Sequence, residues 1–198
     1  MLRSRSSPRA SSIRKGTAPV PDAVTVRPFE TGFAAIVAPR SRAAAARSRF
    51  ADTFGFALPE GPRLARAGDL MAFGIGVDHW VAAAPGDGWA LERRLAASLG
   101  ETALVTDQTD AREGFRIEGP AARLLLETGC SLDLHVSVFP AGAAAVTEIA
   151  GMPVWLWTED AASFQVAVSR SYAESFAQWL DHAVAATRAR VAAGERAA

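Results

Sequence analysis

The chain predicts an α+β fold: a two-layer, split-βαβ (ferredoxin-like) unit that occurs twice in succession. Three observations carry this. Short apolar strand-like runs alternate with helical periodicities along the whole sequence. From Phe33 onward the elements run β-α-β-β-α-β, and from Phe115 they run β-α-β-β-(β)-α, two approximations to one supersecondary order. With 198 residues, 49% of them hydrophobic, the chain can bury a substantial core. The repeat is one of element order and not of residues.

Residues 24–28 and 33–38 read as short strands, and Thr31-Gly32 between them has the composition of a hairpin turn. Ser41 offers an N-cap for a helix that reaches Phe54, with Gly55 at its C′ position. Two more strands follow at 69–76 and 79–84. After the Pro85-Gly86-Asp87-Gly88 turn, Leu91, Leu95 and Leu99 recur every four residues ahead of Gly100, which marks a second amphipathic helix. Residues 103–106 return as a strand, and a polar linker at 107–114 separates the halves.

In the second half, 115–118 is a strand and Gly119-Pro120 opens a helix, proline supplying the φ suited to a first turn. Leu124, Leu125 and Leu126 fill that helix and Gly129 ends it. Strands at 143–149, 154–158 and 164–168 follow. Ser171 and Glu174 have capping-box spacing, and Tyr172, Phe176, Trp179, Leu180, Ala183 and Val184 share one helical face. The expected organisation is a basic tail at 1–20, one αβ domain at 21–184 with halves 21–106 and 107–184, and a helix end and tail at 185–198.

Composition limits the function. Lys plus Arg and Asp plus Glu number 21 each, so no overall field steers the chain to nucleic acid or to a membrane surface. No apolar run approaches the ~20 residues that span a bilayer. The first 20 residues hold Arg3, Arg5, Arg9, Arg14 and Lys15 with no acid and no apolar h-region, which reads as a basic tail rather than a signal peptide. A cytoplasmic protein is expected. Cys130, the single cysteine, has no intrachain partner.

The segment Met152-Pro-Val-Trp-Leu-Trp-Thr158 does not alternate apolar with polar. Val154 and Leu156 point to one face and Trp155 and Trp157 to the other, so both faces need cover. Each tryptophan buries about 150–250 Å², and a pair left in water forgoes about 8–12 kcal/mol of gross transfer energy. The cover comes from another sheet of this chain or from a partner. Trp155, Trp157 and Trp80 are accordingly the candidate partner interface, and Leu70, Met71, Phe73 and Ile75 pose the same question more weakly.

Chemistry-bearing residues are sparse. Gly74-Ile75-Gly76 lacks the third glycine of a dinucleotide fingerprint and runs into His79-Trp80-Val81 rather than a helix. Gly86-Asp87-Gly88 precedes a helix, where an anion could sit, but reads better as a plain turn. His79, His135 and His182 have no ligand at metal-binding spacing. Cys130 and His135 could face each other across one loop, although a buried inert thiol is the better reading. Asp107 and Asp110 beside Arg112 could form a carboxylate pair, or two solvated acids. No G-x-S-x-G elbow is present. No catalytic, cofactor-binding or metal-binding residue is assigned.

Three segments in order then carry a resemblance. They are Ala103-Leu-Val-Thr-Asp-Gln-Thr-Asp110; Phe115-Arg-Ile-Glu-Gly-Pro-Ala-Ala-Arg-Leu-Leu-Leu126 running into Gly129-Cys-Ser-Leu-Asp-Leu134; and Phe139-Pro140 through Trp155-Leu-Trp157 to Phe164-Gln-Val-Ala-Val-Ser-Arg-Ser-Tyr-Ala-Glu174. In this order and spacing the chain resembles the gamma subunit of heterotetrameric sarcosine oxidase, over about residues 24–183. The family often has Ser-His after the Asp-Gln pair where this chain has Thr109-Asp110, so no role rests there. The resemblance implies an accessory, non-catalytic subunit partnered by alpha, beta and delta subunits. It implies a complex that oxidatively demethylates sarcosine to glycine and hydrogen peroxide, releasing formaldehyde or passing the one-carbon unit to tetrahydrofolate. FAD and FMN are implied on beta, NAD and the folate site on alpha, and zinc on delta. The implied fold is similar to the folate-binding domain of aminomethyltransferase-type proteins. A free-standing folate-binding, aminomethyltransferase-like protein is the alternative.

Overall fold

Apolar residues on alternate positions of ten strands divide into two sheets, and each sheet covers its outer face with a pair of helices. The computed structural model describes residues 23–194; the basic segment 1–20 and the last residues lie outside the described part. In chain order the elements are β1 (Thr25–Phe29), β2 (Gly32–Val37), α1 (Ala43–Phe54), β3 (Leu64–Ala67), β4 (Leu70–Gly76), β5 (His79–Ala84), α2 (Gly88–Leu99) and β6 (Leu104–Asp107). They continue with β7 (Arg112–Glu118), α3 (Ala122–Leu126), β8 (Ala144–Ile149), β9 (Met152–Thr158), β10 (Ser163–Ser169) and α4 (Ala173–Ala192). One five-stranded sheet has the order β1-β7-β10-β9-β8 and the other β3-β4-β5-β2-β6. Each strand pairing is antiparallel.

The core has three parts, which together define the layering. Leu91, Leu95 and Leu99 of α2 and Phe50 of α1 pack on Ile36 and Trp80 of the β2 sheet. Phe176 and Leu180 of α4, with Leu124 and Leu125 of α3, pack on Ile117, Leu156 and Val166 of the other. Between the sheets, Phe33, Phe73 and Val81 from one meet Trp155, Trp157 and Ala167 from the other. Each half is thus a two-layer αβ unit, and the two are stacked sheet against sheet with helices outermost. That inner layer answers the question raised by the tryptophan strand, because both faces of β9 are covered within the chain.

Several local expectations are corrected. Residues 24–28 and 33–38 form no hairpin. β1 joins the second-half sheet, Thr25 opposite Glu118, and β2 joins the first-half sheet. Thr31-Gly32 is the crossing between sheets: Thr31 Oγ1 donates to the Ala84 carbonyl at 2.8 Å, and a Cβ on Gly32 would lie 3.1 Å from the Gly88 backbone. Ser41 does not cap α1, which begins after Arg42 with no side-chain cap, while Gly55 at φ 78° ends it in the left-handed region. No capping box forms at Ser171 and Glu174. A 3-10 turn at Arg170–Tyr172 precedes α4, and no side chain caps the helix. Arg170 holds that turn against β7, donating from Nε to the Asp110 carbonyl at 2.6 Å and from Nη1 to Glu113 at 3.1 Å. The last helix continues to Ala192, past residue 184. No described helix is long and apolar enough to cross a membrane.

Candidate functional site

The inner face of the β1 sheet changes from apolar to polar along one row of cross-strand neighbours. Trp157 of β9 stands opposite Gln165 of β10, Gln165 opposite Arg116 of β7, and Arg116 opposite Arg27 of β1. Gln165 is on the same face as Ala167 because side chains alternate along a strand. An amide is therefore placed at the margin of the aromatic layer. Trp157 is 0% exposed and Gln165 3%. The Gln165 amide nitrogen donates to Ser163 Oγ at 3.2 Å, but the Gln165 Oε1 acceptor and the Trp157 Nε1 donor are buried without a hydrogen-bond partner. Each such group costs about 1–3 kcal/mol when left unmet.

A cleft of ≈ 450 Å³ opens at this margin, with Trp157, Gln165, Phe29 and Met71 among its lining residues. Its rim is dominated by carboxylates, Glu30, Asp69, Glu118, Glu159 and Asp160, against Arg66 and Arg116. Arg66 is ion-paired with Glu159 and Arg116 Nη1 lies 3.9 Å from Glu118 Oε1. Among the described residues the Glu30 and Asp69 carboxylates have no cationic partner. A smaller cleft of ≈ 290 Å³ lies on the other side of the Glu30-Thr31 crossing. There the Arg112 guanidinium stacks 3.8 Å from the Trp155 ring and reaches Ser169 Oγ at 3.4 Å. Burial pushes its pKa down.

The candidate residues are not brought together. Trp155, Trp157 and Trp80 are 5%, 0% and 1% exposed, so this chain covers their rings, and the expectation that they form a partner interface is corrected. Phe73 stacks on Trp157 with centroids 5.0 Å apart, and Phe29 and Phe33 meet its ring edge-on. The Trp80 indole N–H donates to the Pro59 carbonyl at 2.8 Å. Gly74 sits in β4 where the Gly61 carbonyl oxygen crosses it, 2.1 Å from where a Cβ would be. Its glycine serves close backbone approach and not a nucleotide. The N-terminus of α2 is already occupied by the chain's own groups. Asp87 accepts from the Trp89 N–H at 3.2 Å, and a Cβ on Gly88 would collide with Thr109 Oγ1 and Asp107 Oδ1. Asp107 Oδ1 also accepts from the Thr109 N–H at 2.8 Å. Asp110 lines the smaller cleft.

His79, His135 and His182 are exposed, and no group of three or more His, Cys, Asp or Glu among the described residues could hold a metal. His135 Nδ1 lies 2.7 Å from Ser137 Oγ in an exposed turn. Cys130 instead bridges to Ile149 at the end of β8, and burial pushes its thiol pKa up. Its alkylation by iodoacetamide at pH 7.5 should run about tenfold or more slower than that of a free cysteine peptide, and recover once the chain is unfolded in urea. Equal rates in the folded chain would contradict the burial argument.

Sequence reasoning passed over the surface where β8 borders the turn between β4 and β5. Val77 is 79% exposed and Val146 52%. They line a groove of ≈ 720 Å³ with Ile75, Leu132 and Ala145, and Trp80 lies sealed at its floor. One of these exposed valines stands at the tip of a turn and the other on an edge strand.

Residues 38–186 match the model of the sarcosine oxidase gamma subunit family. The sarcosine oxidase subunit gamma of an Arthrobacter species is 32% identical over 155 residues, 76% of each chain. That of Corynebacterium sp. strain P-1 is 36% identical over 107 residues, 54% of this chain and 52% of the relative. Among solved structures, a chain of the heterotetrameric sarcosine oxidase of Corynebacterium sp. U-96, in complex with pyrrole 2-carboxylate, superposes with a TM-score of 0.74 at 30% identity, covering 88% of both chains. Aminomethyltransferase T of the Bartonella henselae glycine cleavage system superposes at 0.60 and 14% identity, over 80% of this chain and 45% of that one, and so shares the fold.

Proposed function

This chain belongs to the sarcosine oxidase gamma subunit family, and from that premise we propose that it is an accessory subunit of a heterotetrameric sarcosine oxidase, one that packs and carries no chemistry of its own. The observation that supports this most directly is the match along 88% of both chains to a component of such an assembly. The polar groups fit it. Histidines are scattered on the surface, the half-buried thiol lies beside a strand, and the Asp107 carboxylate serves a turn. Alpha, beta and delta subunits are the proposed partners. Oxidative demethylation of sarcosine to glycine, hydrogen peroxide and a one-carbon unit, and the FAD, FMN, NAD, tetrahydrofolate and zinc that serve it, are assigned to those partners.

The groove at Val77 and Val146 is the surface this reading gives to a partner subunit, since it pairs exposed apolar side chains with an edge strand. The free-standing folate-binding reading is not favoured, the likeness to the aminomethyltransferase being one of fold over 45% of that protein. The test is co-expression of the tagged chain with alpha, beta and delta subunits. The expected result is a yellow four-protein complex that forms peroxide when given sarcosine. A colourless protein recovered alone, with the other three assembling into a fully active enzyme without it, would overturn the proposal.

A further inference from the structure

We infer that the acidic cleft at the margin of the two sheets is a binding site for a small organic cation, an amine that carries an oxygen acceptor a few atoms from its ammonium group. Two independent observations carry this. The rim carboxylates outnumber the arginines, and both arginines are already paired, with Glu159 and with Glu118. Glu30 and Asp69 are left without a cationic partner among the described residues, so the opening attracts positive charge and disfavours an anion. The lining residues Trp157 and Gln165 supply the second observation. Both are buried, and each holds one unmet polar group, a donor on the indole and an acceptor on the amide.

Register makes those two groups a pair. Trp157 and Gln165 are directly opposite on neighbouring strands and share the inner face, which places their Cβ atoms about 4.5–5.5 Å apart. A ligand that answers both must accept from the indole N–H and donate to the amide oxygen. A carboxylate or a hydrocarbon does only one of these or neither. An ammonium group donates to Gln165 Oε1 while remaining among the rim carboxylates, and a neighbouring hydroxyl, carbonyl or carboxyl oxygen accepts from Trp157. The Gln165 amide is tethered only through its nitrogen, to Ser163 Oγ, so its oxygen is held by no other group of the chain. Phe29 and Met71 give the ligand's carbon atoms an apolar wall.

This site does not depend on the chain's role in an oxidase, and its test uses the full chain without partners. The chain holds five tryptophans, so 15N-labelled indole gives five N–H signals, and Trp157→Phe identifies the one from Trp157. Ethanolamine, an ammonium with a hydroxyl, is the probe; glycolate and ethylene glycol are the anionic and neutral controls of similar size. The expected result is a saturable shift confined to the Trp157 signal with ethanolamine and none with either control at the same concentration. Gln165→Leu should abolish the shift, and Glu30→Gln should weaken binding at least about tenfold, the loss of one charge-assisted contact. The remaining indole signals report that both variants stay folded. A Trp157 signal that no probe moves, that glycolate moves equally, or that ethanolamine shifts only after residues 1–20 are removed would overturn the proposal. So would a Trp157 N–H that exchanges magnetisation with one bound water while ignoring every amine.

Discussion

Trp157→Ala is expected to lower folding stability by about 3–5 kcal/mol, the range for deleting a large buried aromatic side chain. The indole is 0% exposed and is held by rings from two different strands of the facing sheet, Phe73 stacked at 5.0 Å and Phe33 edge-on at 6.2 Å. Phe29, at the crossing between the sheets, meets it edge-on at 6.1 Å. Its removal leaves a void between two sheets whose positions are fixed by their own hydrogen-bond ladders, so the walls cannot collapse into it. At one margin the halves are also joined by backbone hydrogen bonds, from the Leu64 N–H to the Gly142 carbonyl at 2.8 Å and from the Ala144 N–H to the Pro62 carbonyl at 3.0 Å, but across the face the aromatic layer is the contact. Urea unfolding followed by far-UV circular dichroism measures the loss as a lower midpoint. Trp89→Ala, at a site 59% exposed, is the control and should change stability by less than about 0.5 kcal/mol. Equal effects from the two substitutions would mean that the inter-sheet layer is not what joins the halves.

The same residues show how far the sequence could be read. The unbroken apolar run of β9 announces that both its faces are covered, since no half-exposed strand places Val154, Trp155, Leu156 and Trp157 in succession. It does not announce by what. Phe33 and Phe73 lie far away along the chain, and only the pairing of β2 with β5 and of β5 with β4 sets them side by side. The helices were legible because Leu91, Leu95 and Leu99 state a period that local physics obeys. β1 was misread for the opposite reason. Thr31-Gly32 has turn composition, but Val24 and Ala23, at 0% and 2% exposure, gain more against α3 and the second sheet than a solvent-exposed hairpin would give. β3 was missed because Leu64-Ala-Arg-Ala67 is half-exposed and only its pairing with β4 makes it a strand. Gln165, a lone amide between Phe164 and Val166, was a visible anomaly in the sequence. Its meaning required the register that sets it opposite Trp157 and Arg116.

Val77→Asp combined with Val146→Asp should leave the chain folded and reduce its recovery with partner subunits at least about 100-fold. Neither substitution touches the core, the two side chains being 79% and 52% exposed, so the expected change in the isolated chain's stability is within about 0.5 kcal/mol each. In an assembled complex the same positions would be dry, and a carboxylate buried there without a partner costs several kcal/mol. Among the described residues, the acidic and basic side chains that line the groove make matters worse or are already engaged. Glu60 and Asp78 repel a new carboxylate, and Arg47 is paired with both, at 3.6 Å and 3.0 Å. About 1.4 kcal/mol is tenfold in a dissociation constant, so even a partly relaxed interface loses two orders of magnitude. The measurement is co-purification of the double variant with the proposed partner subunits, beside Val136→Asp and Val138→Asp, whose side chains are also exposed but lie in a separate loop. Loss with the first pair and full recovery with the second assigns the groove to a partner. Full recovery with both pairs would place the contact surface elsewhere on the chain and leave the groove valines as ordinary exposed residues.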